Sequence, residues 1–123
     1  MKIALRGLCV AAVLAALSAP VLAHHSVAMF DFKQTLTLTG TVKEFQYTNP
    51  HAWLQIMVVG TDGMPVQWAF EAEGPSTLMI KGVKVSTFAP GDKVTVTMHP
   101  MRDERTAGQL LSVTTADGRV FNF

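Results

Sequence analysis

Four histidines are the residues of this chain whose type and position best suit chemistry: His24, His25, His51 and His99. Two are adjacent near the start, one lies in a corner between two strand-like runs, and one precedes Pro100. None falls on the apolar face of an expected strand, and ligand sets commonly lie at such ends and loops. A single loop histidine is more often only a surface residue, so the adjacent pair carries the hypothesis of a metal site.

The adjacent pair gains a further ligand if the mature chain begins at His24. A terminal histidine closes a chelate ring with its α-amine and imidazole, and protons compete only mildly because that amine has a pKa near ~7.7–8.0. His25 adds a second imidazole. Nitrogen ligands in tetragonal geometry suit Cu(II), and suit zinc or nickel less specifically. We therefore predict copper binding at His24 and His25, completed by His51 and His99 if their loops meet; the alternative is an incidental pair on a disordered terminus.

Methionines near these histidines offer softer ligands. Met98 and Met101 flank His99, and Met29 follows the adjacent pair. Thioethers favour Cu(I). However, Met98 has the parity of a core residue, and methionine usually fills gaps in cores. We therefore expect the metal ligands to be histidines rather than methionines.

A second set of candidates could bind a ligand or partner without any metal. Trp53 lies opposite the aliphatic face of its strand, which predicts an accessible ring near His51. Such a ring can serve as a platform for a carbohydrate or peptide, or it can pack under a loop. Tyr47 and Asn49 belong to the same corner. These three residues, Tyr47, Asn49 and Trp53, are the predicted contacts of a binding module.

Catalytic groups are not predicted. Ser26 is adjacent to His25, and adjacent residues do not supply the geometry of a nucleophile and its base. The acidic residues, Glu71 and Glu73 among them, show no spacing that predicts an acid–base pair. We therefore expect a protein that is not an enzyme, and an oxidase or hydrolase is the weakest hypothesis.

The first 23 residues have the pattern of a cleaved export signal. Lys2 and Arg6 precede an apolar run at 8–17, and Val-Leu-Ala ending at Ala23 is a cleavage site. Cleavage there would make His24 the first residue. A retained anchor is the alternative, but the apolar run is short of the ~20 residues that a spanning helix needs. The prediction is a periplasmic or secreted protein with no membrane span after processing.

Composition limits what the mature chain can be. The single cysteine, Cys9, lies in the removed segment, which excludes disulfides, thiolate metal sites and thiol catalysis. Removing Lys2 and Arg6 from ten basic residues leaves eight against nine acidic ones, a formal charge of minus one. No basic patch predicts a nucleic-acid partner. Residues 24–123 are long enough for one core and are predicted to form one domain.

Alternating apolar residues predict the elements that must position these side chains. A strand begins near Leu36, bends or bulges at Gly40, and changes parity before Phe45. Further strands are expected at 52–58, 66–71, 93–98, 111–115 and 120–123, with Leu111 and Val113 on one face of the fifth. A short helix spans 74–82. This order is typical of an all-β, five-stranded OB-fold barrel with its helix between strands three and four; an antiparallel sandwich-like barrel of other topology is the alternative.

Several motifs together resemble a known family. They are His-His-Ser at 24–26, Met-Phe-Asp at 29–31, Leu-Thr-Gly-Thr-Val at 38–42, Thr-Asn-Pro-His-x-Trp at 48–53 and Pro-Gly-Asp at 90–92. The chain resembles a family of small exported bacterial proteins catalogued as a domain of unknown function. The resemblance covers the whole mature chain and implies no established activity. It supports His24, His25 and His51 as a matched set.

Overall fold

A computed structural model describes residues 27–123 of the chain. A single 3-10 turn at Val27–Met29 comes first. The remaining elements are β1 (Leu36–Gln46), β2 (Trp53–Val59), β3 (Pro65–Glu71), α1 (Pro75–Ile80), β4 (Lys93–Pro100), β5 (Ala107–Thr115) and β6 (Val120–Asn122). No helix within 27–123 is long and apolar enough to cross a membrane.

Five of the strands close into a barrel. β1, β2 and β3 form an antiparallel meander, β4 pairs with both β1 and β5, and β6 extends β5 as a hairpin. Residues 69–71 of β3 pair in parallel with 107–109 of β5, and this pairing closes the barrel. The order of strands and the place of α1 are those of an OB fold, as the sequence predicted.

The barrel interior is apolar. Its largest fully buried side chains include Phe70, Phe88, Leu54 and Ile56, and Leu78 brings α1 onto the same core. Among the described residues, no polar or charged residue is buried. Burial of apolar surface at roughly 25 cal/mol per Å² is therefore the main favourable contribution to stability.

The change of parity in β1 is confirmed, but its position differs from the prediction. The register with β2 shifts between Val42 and Glu44, so that Val42 and Phe45 both face the core. Gly40 has another role, because a Cβ there would lie 2.5 Å from the backbone oxygen of Met57. Gly40 thus permits a close approach between strands and does not mark the bulge.

The face of β5 was predicted wrongly. Thr97 pairs with Ser112 whereas Met98 pairs with Leu110, so Leu111 is an extra residue in the ladder. The bulge reverses the alternation at that point. Leu110 consequently lies in the core with Val113, and Leu111 is only partly buried.

Candidate functional site

A row of side chains crosses the outer wall of the barrel over four neighbouring strands. In register, Trp53 of β2 pairs with Glu71 of β3, Glu71 with Gln109 of β5, and Gln109 with His99 of β4. The residue beside each of them in the chain is buried in the core, so this row faces outward. Neighbouring strands are about 4.8 Å apart, which brings side chains from distant parts of the sequence together.

The start of the described chain runs across this row. Asp31 donates its backbone N–H to the carbonyl of Pro100 at 2.8 Å, and Arg102 donates its own N–H to Met29 at 3.0 Å. The guanidinium Nε of Arg102 donates to the carbonyl of Ala28 at 2.9 Å. We call residues 28–31 the strap. Its anchoring is the reason that an N-terminal segment reaches the candidate site.

Two neighbouring cavities lie beside the strap, and together we call them the groove. The first has a volume of about 270 Å³ and is lined by residues that include Trp53 and Arg105. The second is about 200 Å³ and contains His51. Phe30 and Glu71 line both. OB folds commonly bind ligands on this β2–β3 face, between the loops that follow strands one and four, and those loops supply His51 and Arg105 here.

The His51 ring is oriented by the fold. Its Nδ1 lies 3.1 Å from the carbonyl oxygen of Ala72 and 3.4 Å from Oε1 of Glu71. A carbonyl oxygen only accepts hydrogen bonds, so Nδ1 carries the proton and Nε2 of the neutral ring keeps a free lone pair. The side chain is 48% exposed. Metal-binding histidines typically show this arrangement, in which the second nitrogen donates to a carbonyl or carboxylate.

His99 shows the same local pattern in different surroundings. Its Nδ1 is 2.7 Å from the carbonyl oxygen of Gln34, and its ring packs edge-on against Phe32, with centroids 5.2 Å apart. It does not line the cavity that contains His51, and Gln109 stands between it and Glu71 in the row. The structure therefore places both histidines on one side of the barrel without bringing their rings together.

Ligands for a metal are incomplete within the described chain. In residues 27–123, no group of three or more His, Cys, Asp or Glu side chains could hold a metal ion. His24 and His25 lie outside the described residues. The four-histidine set therefore stays a prediction.

The three predicted partner-binding residues have different places. The Tyr47 hydroxyl lies 3.0 Å and 2.9 Å from two backbone carbonyls, at the start of α1 and just after it, so it fastens the helix to the barrel. Asn49 is exposed and precedes Pro50 through a cis peptide bond. Trp53 is partly buried and lines the first cavity. Of the three, Trp53 alone is among the residues lining the two cavities of the groove.

Acidic side chains give the second cavity its electrostatic character. Glu71 and Glu73 both line it beside His51. Oε1 of Glu73 pairs with Lys81, whereas its Oε2 is buried without a hydrogen-bond partner. Carboxylates next to an imidazole with a free nitrogen favour a cation over an anion at this place.

Sequence reasoning missed most of the groove. Glu71 was noted as a possible acid or base, but its neighbours depend on the β3–β5 pairing. Phe30 and Arg105 were not candidates, because no periodic pattern predicts that the strap packs on the outer wall. The one signal available was the Met-Phe-Asp motif at 29–31, which belongs to the strap.

The sequence and the fold were compared with known proteins. A family model described as a family of unknown function, DUF6152, matches residues 11–110. Neither the curated proteins nor the solved structures contain a match.

Proposed function

The chain belongs to DUF6152, a family of unknown function, and from its own residues we propose that it is an exported, non-enzymatic protein that binds copper. The ligands are the α-amine and imidazole of His24 at the processed terminus, the imidazole of His25, and Nε2 of His51. Carriage or sensing of the metal in the periplasm is the corresponding role. His99, which packs against Phe32, is left outside this set.

The hydrogen bond of His51 is the observation that carries this proposal. Nδ1–H of this half-exposed ring is directed at the carbonyl of Ala72 and lies 3.4 Å from Oε1 of Glu71, which leaves Nε2 free to bind a metal. The ring therefore needs no rearrangement to accept a metal. Glu71, which lines the same cavity, offsets the positive charge of the ion, whereas Glu73 is already paired with Lys81.

The anchoring of the strap supports the reach of the terminal ligands. Met29 and Phe30 line the groove, and each residue adds at most about 3.6 Å to an extended chain. The Cα of His25 is therefore within about 7 Å of that of Val27, and the Cα of His24 within about 11 Å. Because Phe30 lines the cavity that contains His51, we propose that the terminal residues reach that ring.

Copper titration of correctly processed protein tests the terminal chelate. The protein is produced with its own residues 1–23, recovered after export, and its first residue is confirmed by mass. A variant with three serines inserted before His24 loses the six-membered chelate ring formed by the α-amine and imidazole of one residue. It also leaves no histidine in the first three positions, and it should bind Cu(II) at least tenfold more weakly. Equal affinity of the two proteins would overturn the terminal chelate.

Two histidine variants test the rest of the set. His51→Ala should weaken Cu(II) binding at least tenfold, because it removes an oriented ligand. His99→Ala is the matched control, since that ring also donates Nδ1–H to a carbonyl but is not in the proposed set. Equal losses for both variants, or none for His51→Ala, would contradict the site.

A metal-free binding module is the second candidate function. The first cavity favours it, because Trp53, Glu71 and Arg105 supply a ring, an anion and a cation in one concave surface. Such a site suits a peptide, a glycan or a partner protein. Capture of a ligand that Trp53→Ala abolishes and His24→Ala leaves unchanged would support this candidate over copper binding.

A further inference from the structure

We propose that the first cavity is a separate soft-metal site, which binds Cu(I), or its analogue Ag(I), through the thioethers of Met29 and Met101 against the ring of Trp53. This inference goes beyond the copper function proposed above, since it uses sulfur donors and does not need the terminal chelate. It also departs from the expectation that methionines are not ligands.

Met29 and Met101 are far apart in the chain but line the same cavity. The bridge between Phe30 and Met101 and the hydrogen bond from Arg102 N to Met29 O hold the two segments side by side. Backbone contacts thus hold the two methionines at one cavity, and neither residue lies among the terminal residues outside the described chain.

The burial of Met101 differs in kind from that of Met98. Met98 is fully buried and belongs to the barrel core, which is the role expected of a gap-filling methionine. Met101 is 7% exposed, but it lies outside the main core cluster and is bridged to Phe30 of the strap. The core therefore does not account for Met101.

The other residues of the cavity suit a soft cation. Thioether ligands select Cu(I) and are uncharged, so the charge of the ion must be balanced nearby. Glu71 lines the cavity with a side chain that is 14% exposed. The face of Trp53 adds a cation–π attraction. The one cationic residue in the lining, Arg105, has its Nε paired with Asp103 at 2.7 Å.

Methyl spectra of the exported protein, labelled with carbon-13 at the methionine methyl groups, test this site directly. Titration with Ag(I) should shift the resonances of Met29 and Met101 before those of Met64 and Met79, which are exposed methionines. A uniform response of all exposed methionines, or no shift at Met29 and Met101, would overturn the proposal.

Leucine variants provide the affinity test. Met29→Leu and Met101→Leu keep the side-chain volume, so the fold should persist, and backbone spectra check this. Each should weaken Ag(I) binding at least tenfold, whereas Met79→Leu should leave it unchanged. If Met101→Leu perturbs the fold, the Ag(I) affinity of Met29→Leu, at the less buried position, decides whether the site exists. An unchanged Ag(I) affinity of Met29→Leu would refute the site.

The insertion variant separates this site from the terminal chelate. Protein with three serines before His24 should lose affinity for Cu(II) and keep its affinity for Ag(I). Loss of Ag(I) binding in that variant would show that silver reports only on the terminal histidines. The two proposals can therefore fail independently.

Discussion

Two histidines with the same hydrogen bond can have different roles, as His51 and His99 show. Each donates Nδ1–H to a backbone carbonyl, but only His51 has a carboxylate beside the ring and shares a cavity with it. The sequence predicted that Trp53 would face away from the core, because parity alone decides that. It could not predict the partners of the histidine rings, since these come from Ala72 and Gln34, in other segments of the chain.

The carboxylate of Glu71 should tune copper binding through His51. Glu71→Gln keeps the shape of the side chain but removes the negative charge that lies 3.4 Å from Nδ1 of His51. Loss of such a partner typically lowers metal affinity 10–100-fold, and we expect a loss of about tenfold for Cu(II). Glu104→Gln, at an exposed position in the loop before β5, is the control. Identical affinities of the two variants would remove Glu71 from the site.

The hydroxyl of Tyr47 should contribute to stability rather than to binding. Tyr47→Phe removes the one hydroxyl proton that is shared between two backbone carbonyls near α1, at a cost of about 1 kcal/mol. Urea denaturation measures the change. Thr39→Val removes an exposed hydroxyl that pairs with Thr95 and should change stability by no more than about 0.5 kcal/mol. A larger effect at Thr39 than at Tyr47 would contradict this assignment.

At the scale of strands, alternation predicted the order of elements but not the places where the alternation is interrupted. The strands near Trp53, Phe70 and Val96 were recognised because each has one buried face. The extra residue at Leu111 was missed, because a bulge changes only one position and its cause lies in the pairing with β4.

A glycine on β5 should be essential to the edge of the groove. A Cβ at Gly108 would lie 2.5 Å from the backbone oxygen of His99 and 2.6 Å from the sulfur of Met98. Because the backbone oxygen cannot move without disturbing the ladder, Gly108→Ala should destabilise the fold by about 1–3 kcal/mol. Thermal unfolding measures this, with Ser112→Ala on the same strand as the control. An unchanged midpoint for Gly108→Ala would show that β4 and β5 are less closely packed than described.

The strap should be a locally opening element that Arg102 stabilises. Arg102→Ala removes the side-chain hydrogen bond to Ala28 and should speed hydrogen exchange at the Asp31 amide by roughly 3–10-fold, which corresponds to about 0.5–1.5 kcal/mol. Amides of β2 and β3 should exchange as before. Arg105→Ala is the control, since its guanidinium pairs with Asp103. Equal exchange at Asp31 in the wild type and Arg102→Ala would mean that backbone bonds alone hold the strap.

At the scale of the whole molecule, the groove exists only because the barrel closes. Its lining comes from the strap, the corner at His51, β2, β3 and the two residues after it, β5 and the loop before it, and Phe123. The sequence predicted an OB fold from the place of one short helix, and that was enough for the topology. The sequence could not predict the groove. The groove depends on the parallel pairing of Glu71 with Gln109, which joins two separate strands, and such a pairing leaves no periodic pattern in the sequence.

Thermal unfolding with Cu(II) can show whether the copper site belongs to the folded protein or only to its terminus. A chelate made by His24 and His25 alone would bind the unfolded chain equally well, and the unfolding midpoint would stay constant. If His51 is a ligand, only the folded barrel presents the full set and binds copper at least tenfold more tightly than the unfolded chain. Free copper well above both dissociation constants then adds about 1.4 kcal/mol or more. For a domain of this size the midpoint should rise by at least roughly 5–10 °C. His51→Ala should abolish that rise of the unfolding midpoint even if copper still binds at the terminus. A rise of equal size in His51→Ala would exclude His51 from the copper site.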